Sequence, residues 1–149
     1  MQIWIDGDAC PNKIKTILFR AAIRTKTPLV IVANHFVSIP PSPYIKRLQV
    51  ETGFDSADKK IAASIKAHDL VITADIPLAN IVIEQKGIAL NPRGELYSAN
   101  NIKQVLAMRN LNESLRNTGM ISGGPASLSS SDVQRFSNHL DKILAAKPH

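Results

Sequence analysis

Apolar residues along this chain alternate between short continuous runs and helical spacing. Residues 2–5 form the first run, through Ile3, Trp4 and Ile5, and read as a strand. Residues 11–25 then place Ile14, Ile17, Leu18, Ala21 and Ala22 at helical intervals, with Pro11 near the start, where its missing N–H is not needed. Leu29 to Ala33 is unbroken and apolar, as in a strand covered on both faces. Pro40, Pro41 and Pro43 make a loop of residues 35–44, and a short third strand lies within residues 45–50. Helical spacing returns over residues 55–67 through Ala57, Ile61, Ala62 and Ile65. Residues 69–73 read as a fourth strand, 77–85 as a short helix with Pro77 in its first turn, and 88–90 as a fifth strand. This βαβ repetition predicts an α/β fold on a mostly parallel, doubly wound sheet.

The pattern changes after Arg93. Residues 99–116 predict a long helix holding Ile102, Val105, Leu106, Arg109 and Leu115. Gly119 to Pro125 is a glycine-rich loop, and residues 131–146 predict a last helix with Val133, Phe136, Leu140, Ile143 and Leu144. The expectation is a single domain over residues 1–149, with a C-terminal helical extension at about 98–149. A chain of 149 residues is long enough for a full core.

Composition narrows the function classes. Hydrophobic residues make up 44% and charged residues 20%, ordinary for a soluble globular protein. No apolar run approaches the ~20 residues of a membrane span, so no membrane partner is expected. The first residues form an acidic-ended strand rather than a basic and apolar leader, so no signal peptide is expected. Cys10 is the single cysteine; it excludes an intramolecular disulfide and fits a cytoplasmic location. The net charge of +6 points to an anionic partner such as nucleic acid, although many basic proteins bind none. Aromatic content is only 5%, so stacking platforms for bases are not evident.

The candidate chemistry is acidic. The first strand runs straight into Asp6 and Asp8, with Gly7 between them, and the fourth ends in Thr73-Ala74-Asp75. Carboxylates at strand exits are poor core residues and good ligands for a hard cation. In the usual doubly wound orders strands one and four are neighbours, so Asp6 and Asp75 meet at the switch point where such sheets bind ligands. Asp8 stands on the loop above Asp6, Asp58 in the first turn of the helix before strand four, and Asp55 near that helix's cap. Like charges gathered there repel, and a magnesium ion relieves the repulsion and activates water for attack on a phosphodiester. Each aspartate also has a plainer role available. Asp55 and Asp75 can cap helices, Asp58 can complement a helix dipole, and Asp8 can serve a turn; Asp6 is the hardest to explain so.

Other residues say less. Lys59 and Lys60 can hold a scissile phosphate or be solvated surface. Thr73 resembles a hydroxyl beside a phosphate, or is only a strand residue. Arg93, Arg109, Arg116 and the loop of Gly119, Gly123, Gly124 and Pro125 can bind phosphate, or the loop can simply join two helices. His35, His68, His139 and His149 lack metal-ligand spacing and are expected at the surface. Cys10 reads as a small residue where the first helix opens, not as a nucleophile.

Several motifs together are familiar. Asp6-Gly-Asp-Ala-Cys-Pro11, Val32-Ala-Asn34, Gly53-Phe-Asp-Ser-Ala-Asp58, the stretch from Asp69 to Ala79, Pro92-Arg-Gly94 and Gly123-Gly-Pro125 resemble the YaiI/YqxD family of bacterial proteins, over nearly the whole chain. That family in turn resembles the PIN-like, NYN-type nuclease superfamily. The resemblance implies a parallel α/β/α sandwich with an acidic site for Mg2+ or Mn2+. It matches the superfamily's first strand-end aspartate to Asp6 and its strand-four aspartate to Asp75. The helix acid matches Asp58 best and Asp55 second. Gly7 stands where the family more usually has alanine.

These readings converge on a metal-dependent nuclease acting on RNA. Asp6, Asp58 and Asp75 are the expected cation ligands, with Asp8 ligating through water or positioning the attacking water. Lys59, Thr73, Arg93, Arg116, Gly123 and Gly124 are the candidate substrate-binding residues. Two alternatives stay open. Asp6-Gly7-Asp8 is similar to the nucleophile motif of haloacid-dehalogenase phosphatases, although Asp75 has no adjacent aspartate. A non-catalytic RNA-binding or regulatory protein can also keep a nuclease fold.

Overall fold

The computed structural model describes residues 1–52, 56–108 and 127–146. Five strands form one sheet: β1 Ile3–Asp6, β2 Leu29–Ala33, β3 Ile45–Gln49, β4 Leu70–Ile72 and β5 Ile88–Leu90. Their order is β3-β2-β1-β4-β5, and every pairing is parallel. The helices are α1 Asn12–Thr25, α2 Ser56–Ser64, α3 Ile76–Glu84, α4 over residues 102–108 and α5 Ser130–Ala145. Among the described residues no helix is long and apolar enough to cross a membrane.

The sheet is covered on both faces, which is why its central strands are continuously apolar. On one face Ile3, Ile5, Ile31 and Ile72 pack with Ile14 and Leu18 of α1 and with Phe136, Leu140 and Leu144 of α5. On the other, Trp4, Val32 and Val71 pack with Ile61 of α2, Leu78 and Val82 of α3 and Ile102 of α4. The chain moves outward from β1 to β2 and β3, then crosses back through α2 to β4. Keeping crossovers right-handed puts α1 on one face and α2 and α3 on the other. The reversal of winding lies between β1 and β4, and both strands leave the sheet at the same level, with Ile5 opposite Ile72.

Three differences from the expected boundaries have local causes. The helix expected over 55–67 ends at Ser64. There the Asp69 carboxylate accepts the Lys66 N–H at 3.0 Å and the Asp69 N–H bonds to the Lys66 carbonyl at 3.1 Å, closing a turn that competes with the helix. The fourth strand is Leu70–Ile72 rather than 69–73, because Asp69 and Thr73 spend their side chains on the turns that flank it. The helix expected from residue 99 is capped by Ser98, whose Oγ accepts the Asn101 N–H at 3.3 Å while Asn101 Oδ1 accepts the Ser98 N–H at 2.8 Å. Its continuation beyond residue 108, with Arg109 and Arg116, lies outside the described residues.

The C-terminal helix is tied in by a short-range lock. Gly94 has φ +90, and a Cβ there would meet the Phe136 backbone nitrogen at 2.6 Å. Only glycine lets this turn approach α5 so closely. Arg135 donates to the Arg93 carbonyl at 3.1 Å, and a Ser129–Asp132 capping box starts α5.

Candidate active site

The sequence brings carboxylates to the switch point from three separate elements. Asp6 is the last residue of β1 and is only 7% exposed. Asp75 follows β4 and caps α3, its Oδ1 accepting the Leu78 N–H at 2.9 Å. Asp58 enters from the first turn of α2, on the other side of the sheet from α1. The Asp58 carboxyl hydrogen-bonds to both Asp6 and Asp75. Burial, the hydrogen bond and charge of Asp75, and then Asp6 push the Asp58 carboxyl up to about 8. Asp6 is also raised, chiefly by burial and further by the charges of Asp8 and Asp75, against the pull of hydrogen bonds from Asp58 and the Asp8 backbone. The fold therefore resists ionisation of Asp58 beside Asp6 and Asp75.

This oxygen donor set suits a small hard cation: Mg2+ and Mn2+ take carboxylates, and like charges in contact need a positive partner. Among the described residues no three His, Cys, Asp or Glu side chains are grouped closely enough to hold a metal ion as they stand. The fit therefore lies in the chemistry of the donors: Asp6, Asp58 and Asp75 would supply the oxygens and Asp58 would lose its proton to do so.

Asp8 is placed next to the cluster but is engaged elsewhere. Its carboxylate accepts the Asn34 N–H at 3.1 Å and pairs with His35 Nδ1 at 2.7 Å, anchoring the loop after β2. His35 is exposed, as the missing ligand spacing suggested, yet it has this partner. Thr73 is 1% exposed, and its hydroxyl oxygen accepts the Asp75 N–H at 3.0 Å, so it shapes the turn that aims Asp75. Arg93 turns to the C-terminal helix, donating to Asp132 at 2.9 Å and to the Ser127 carbonyl at 3.4 Å. Lys59 is exposed one residue beyond Asp58. Asp55, Arg109, Arg116, Gly119, Gly123, Gly124, Pro125 and His149 lie outside the described residues. Cys10 is buried and its thiol is pushed up to about 12, mainly by burial, which suits packing and not nucleophilic attack. Gly7 sits tightly: a Cβ would meet Ile31 Cγ1 at 2.8 Å, so an alanine there needs the Ile31 side chain to move.

Asp69 and Lys15 also hold telling positions, with only faint signals in the sequence. Asp69, at the opposite end of β4, accepts N–H groups from Trp4, Gln2 and Lys66. The signal was an indole N–H on a buried strand, which must find an acceptor. Lys15 is 9% exposed on the inner side of α1. Its signal was a cation beside Ile14 and Leu18 on an apolar stripe.

Comparison with known proteins bears on the whole chain. The family model described as "Uncharacterized BCR, YaiI/YqxD family" matches residues 4–146. A UPF0178 protein of Colwellia psychrerythraea is 56% identical over 144 residues, covering 97% of this chain and 95% of that relative. The UPF0178 protein lpg0089 of Legionella pneumophila is 57% identical over 145 residues, covering 97% of this chain and 98% of the relative. Among solved structures, that of Rae1 (YacP) from Bacillus subtilis covers 99% of this chain and 100% of its own, at 16% identity and a TM-score of 0.40. So loose a superposition says nothing about chemistry.

Proposed function

We propose that this chain, which belongs to the YaiI/YqxD family, is a nuclease that uses a divalent cation to hydrolyse phosphodiester bonds, with RNA as its substrate. The observation that carries this reading is the convergence of Asp6, Asp58 and Asp75, from three elements, at the switch point of the sheet, where each feels the others' charge. Asp6, Asp58 and Asp75 would hold Mg2+ or Mn2+, and the bound cation would supply a Lewis acid for the phosphoryl oxygen and a water of lowered pKa. The residues of the chain then have separable tasks. Asp58 gives up its proton as the ligand set forms. Thr73 and the α3 cap hold Asp75 in place. Asp8, held by Asn34 and His35, adds negative charge beside Asp6 and anchors the loop after β2. Lys59 offers a cation for the substrate backbone, and the net charge of +6 favours a polyanion.

A phosphatase-like reading is less well supported, because the second aspartate of its motif must be free to move a proton and Asp8 is engaged. The test is incubation of the purified protein with RNA and DNA in manganese, magnesium or chelator, alongside Asp6→Asn. Cleavage of RNA only with metal, falling to background in Asp6→Asn, is expected. No cleavage of either nucleic acid, or cleavage that survives chelator or Asp6→Asn, overturns the reading.

A further inference from the structure

Beside the acidic cluster lies a groove between α1 and the loop that follows β2. Its volume is about 380 Å3, and Lys15, Thr16, Phe19, His35 and Phe36 are among the residues lining it. It joins the cluster through the Asp8–His35 pair, since Asp8 acts on Asp6 and His35 lines the groove.

Two features of the groove suit part of a nucleic-acid strand. The first is Lys15, a residue only 9% exposed. Among the described residues no carboxylate pairs with it, and it lines the groove. Holding a cation inside a protein is costly without an anion nearby. The Cys10 thiol feels both Lys15 and Asp6, which places the ammonium in the neighbourhood of the carboxyls. The second is Phe36, 62% exposed, with the Arg47 guanidinium 4.2 Å from its ring centroid. An isolated exposed phenylalanine means little. This one is steadied by Arg47 on β3, lines the same groove as Lys15, and keeps most of its surface open for stacking.

We propose that this groove is the subsite for an unpaired nucleotide adjoining the cleaved bond, with Lys15 holding its phosphate and Phe36 stacking on its base. The proposal rests on the nuclease reading and makes it more specific, because the substrate must be single-stranded here. A base in a duplex is already stacked and cannot lie on the ring.

The test is fluorescence anisotropy of a short labelled single-stranded RNA, and of the same RNA in a blunt duplex, with the full-length protein in chelator so that nothing is cut. Wild type is expected to prefer the single strand. Phe36→Ala, at an exposed site that does not threaten folding, should weaken single-strand binding roughly tenfold and leave duplex binding unchanged, while Phe36→Trp restores it. Lys15→Met keeps the apolar stem and should lower the slope of log affinity against log salt by about one. Single-strand binding unaltered by both Phe36→Ala and Lys15→Met overturns the subsite and leaves the nuclease reading standing. Equal losses on single strand and duplex in Phe36→Ala overturn the stacking role. If wild type binds no RNA at low salt, the subsite falls together with the reading it rests on.

Discussion

Asp6 and Asp69 are buried to the same degree, each 7% exposed, at opposite ends of neighbouring strands. Asp69 sits where β4 begins and accepts three N–H groups: Trp4 Nε1 at 3.1 Å, the Gln2 backbone at 3.1 Å and the Lys66 backbone at 3.0 Å. Asp6 sits where β1 ends, where the Asp8 backbone and the Asp58 carboxyl bond to it and Asp8 and Asp75 add negative charge. One aspartate completes a hydrogen-bond network; the other is crowded by carboxyls, and burial with their charge pushes its own carboxyl up. Buried charge that is fully satisfied reads as architecture. Buried charge that is satisfied only by protonation reads as a site waiting for a cation.

The largest effect expected from breaking this comparison is at the architectural end. Asp69→Ala strands three donors, including a buried indole N–H, and should destabilise the protein by about 3 kcal/mol or more in denaturant unfolding. A loss within the range of ordinary surface substitutions would show that Asp69 is not the keystone of the β1–β4 edge.

The acidic end should respond in the opposite direction. In chelator, Asp58→Asn removes a carboxyl whose ionisation the fold resists and should gain stability on the order of 1 kcal/mol at alkaline pH. The pH dependence has a definite sign. The Asp58 pKa rises from 3.8 to about 8, so between those values the folded chain holds more protons than the unfolded one. Stability from this group is fully present below 3.8, declines as pH rises, and is lost by about 8. Metal-free wild type should thus weaken across that window, and Asp58→Asn should weaken less. A steeper decline in Asp58→Asn contradicts a proton held on Asp58. Asp75→Asn is a poorer probe, because Asp75 also caps α3.

The smallest effect is expected at Arg93. Its pairing with Asp132 draws it toward α5 and is partly exposed to solvent. Arg93→Ala should lower Tm by a few degrees at most and leave the affinity for RNA unchanged. A marked loss of RNA affinity would return Arg93 to the substrate track.

Much of the fold was legible because strands covered on both faces are apolar runs and the helices between them keep helical spacing. The meeting of Asp6 and Asp75 followed from topology, since a reversal of winding makes β1 and β4 neighbours. What was not legible is which partner each polar side chain takes. Asp8 finds Asn34 and His35, and Arg93 finds Asp132, 39 residues away, through tertiary proximity that leaves no trace in spacing. Thr73 and Asp75 looked like two functional groups; a hydrogen bond makes the first a support for the second. Phe36 and Arg47 were hidden by composition, because a low aromatic content says nothing about where the few rings are.

Calorimetric titration of Mn2+ into the wild-type protein at neutral pH, in two buffers of different ionisation enthalpy, reads the ligand set through the protons it releases. If Asp6, Asp58 and Asp75 are the ligand set, binding releases about one proton, because the cation replaces the one Asp58 holds. Asp58→Asn should bind more weakly and release none, and Asp6→Asn should lose the binding. Binding with no proton release, or binding unchanged in Asp6→Asn, would contradict the account.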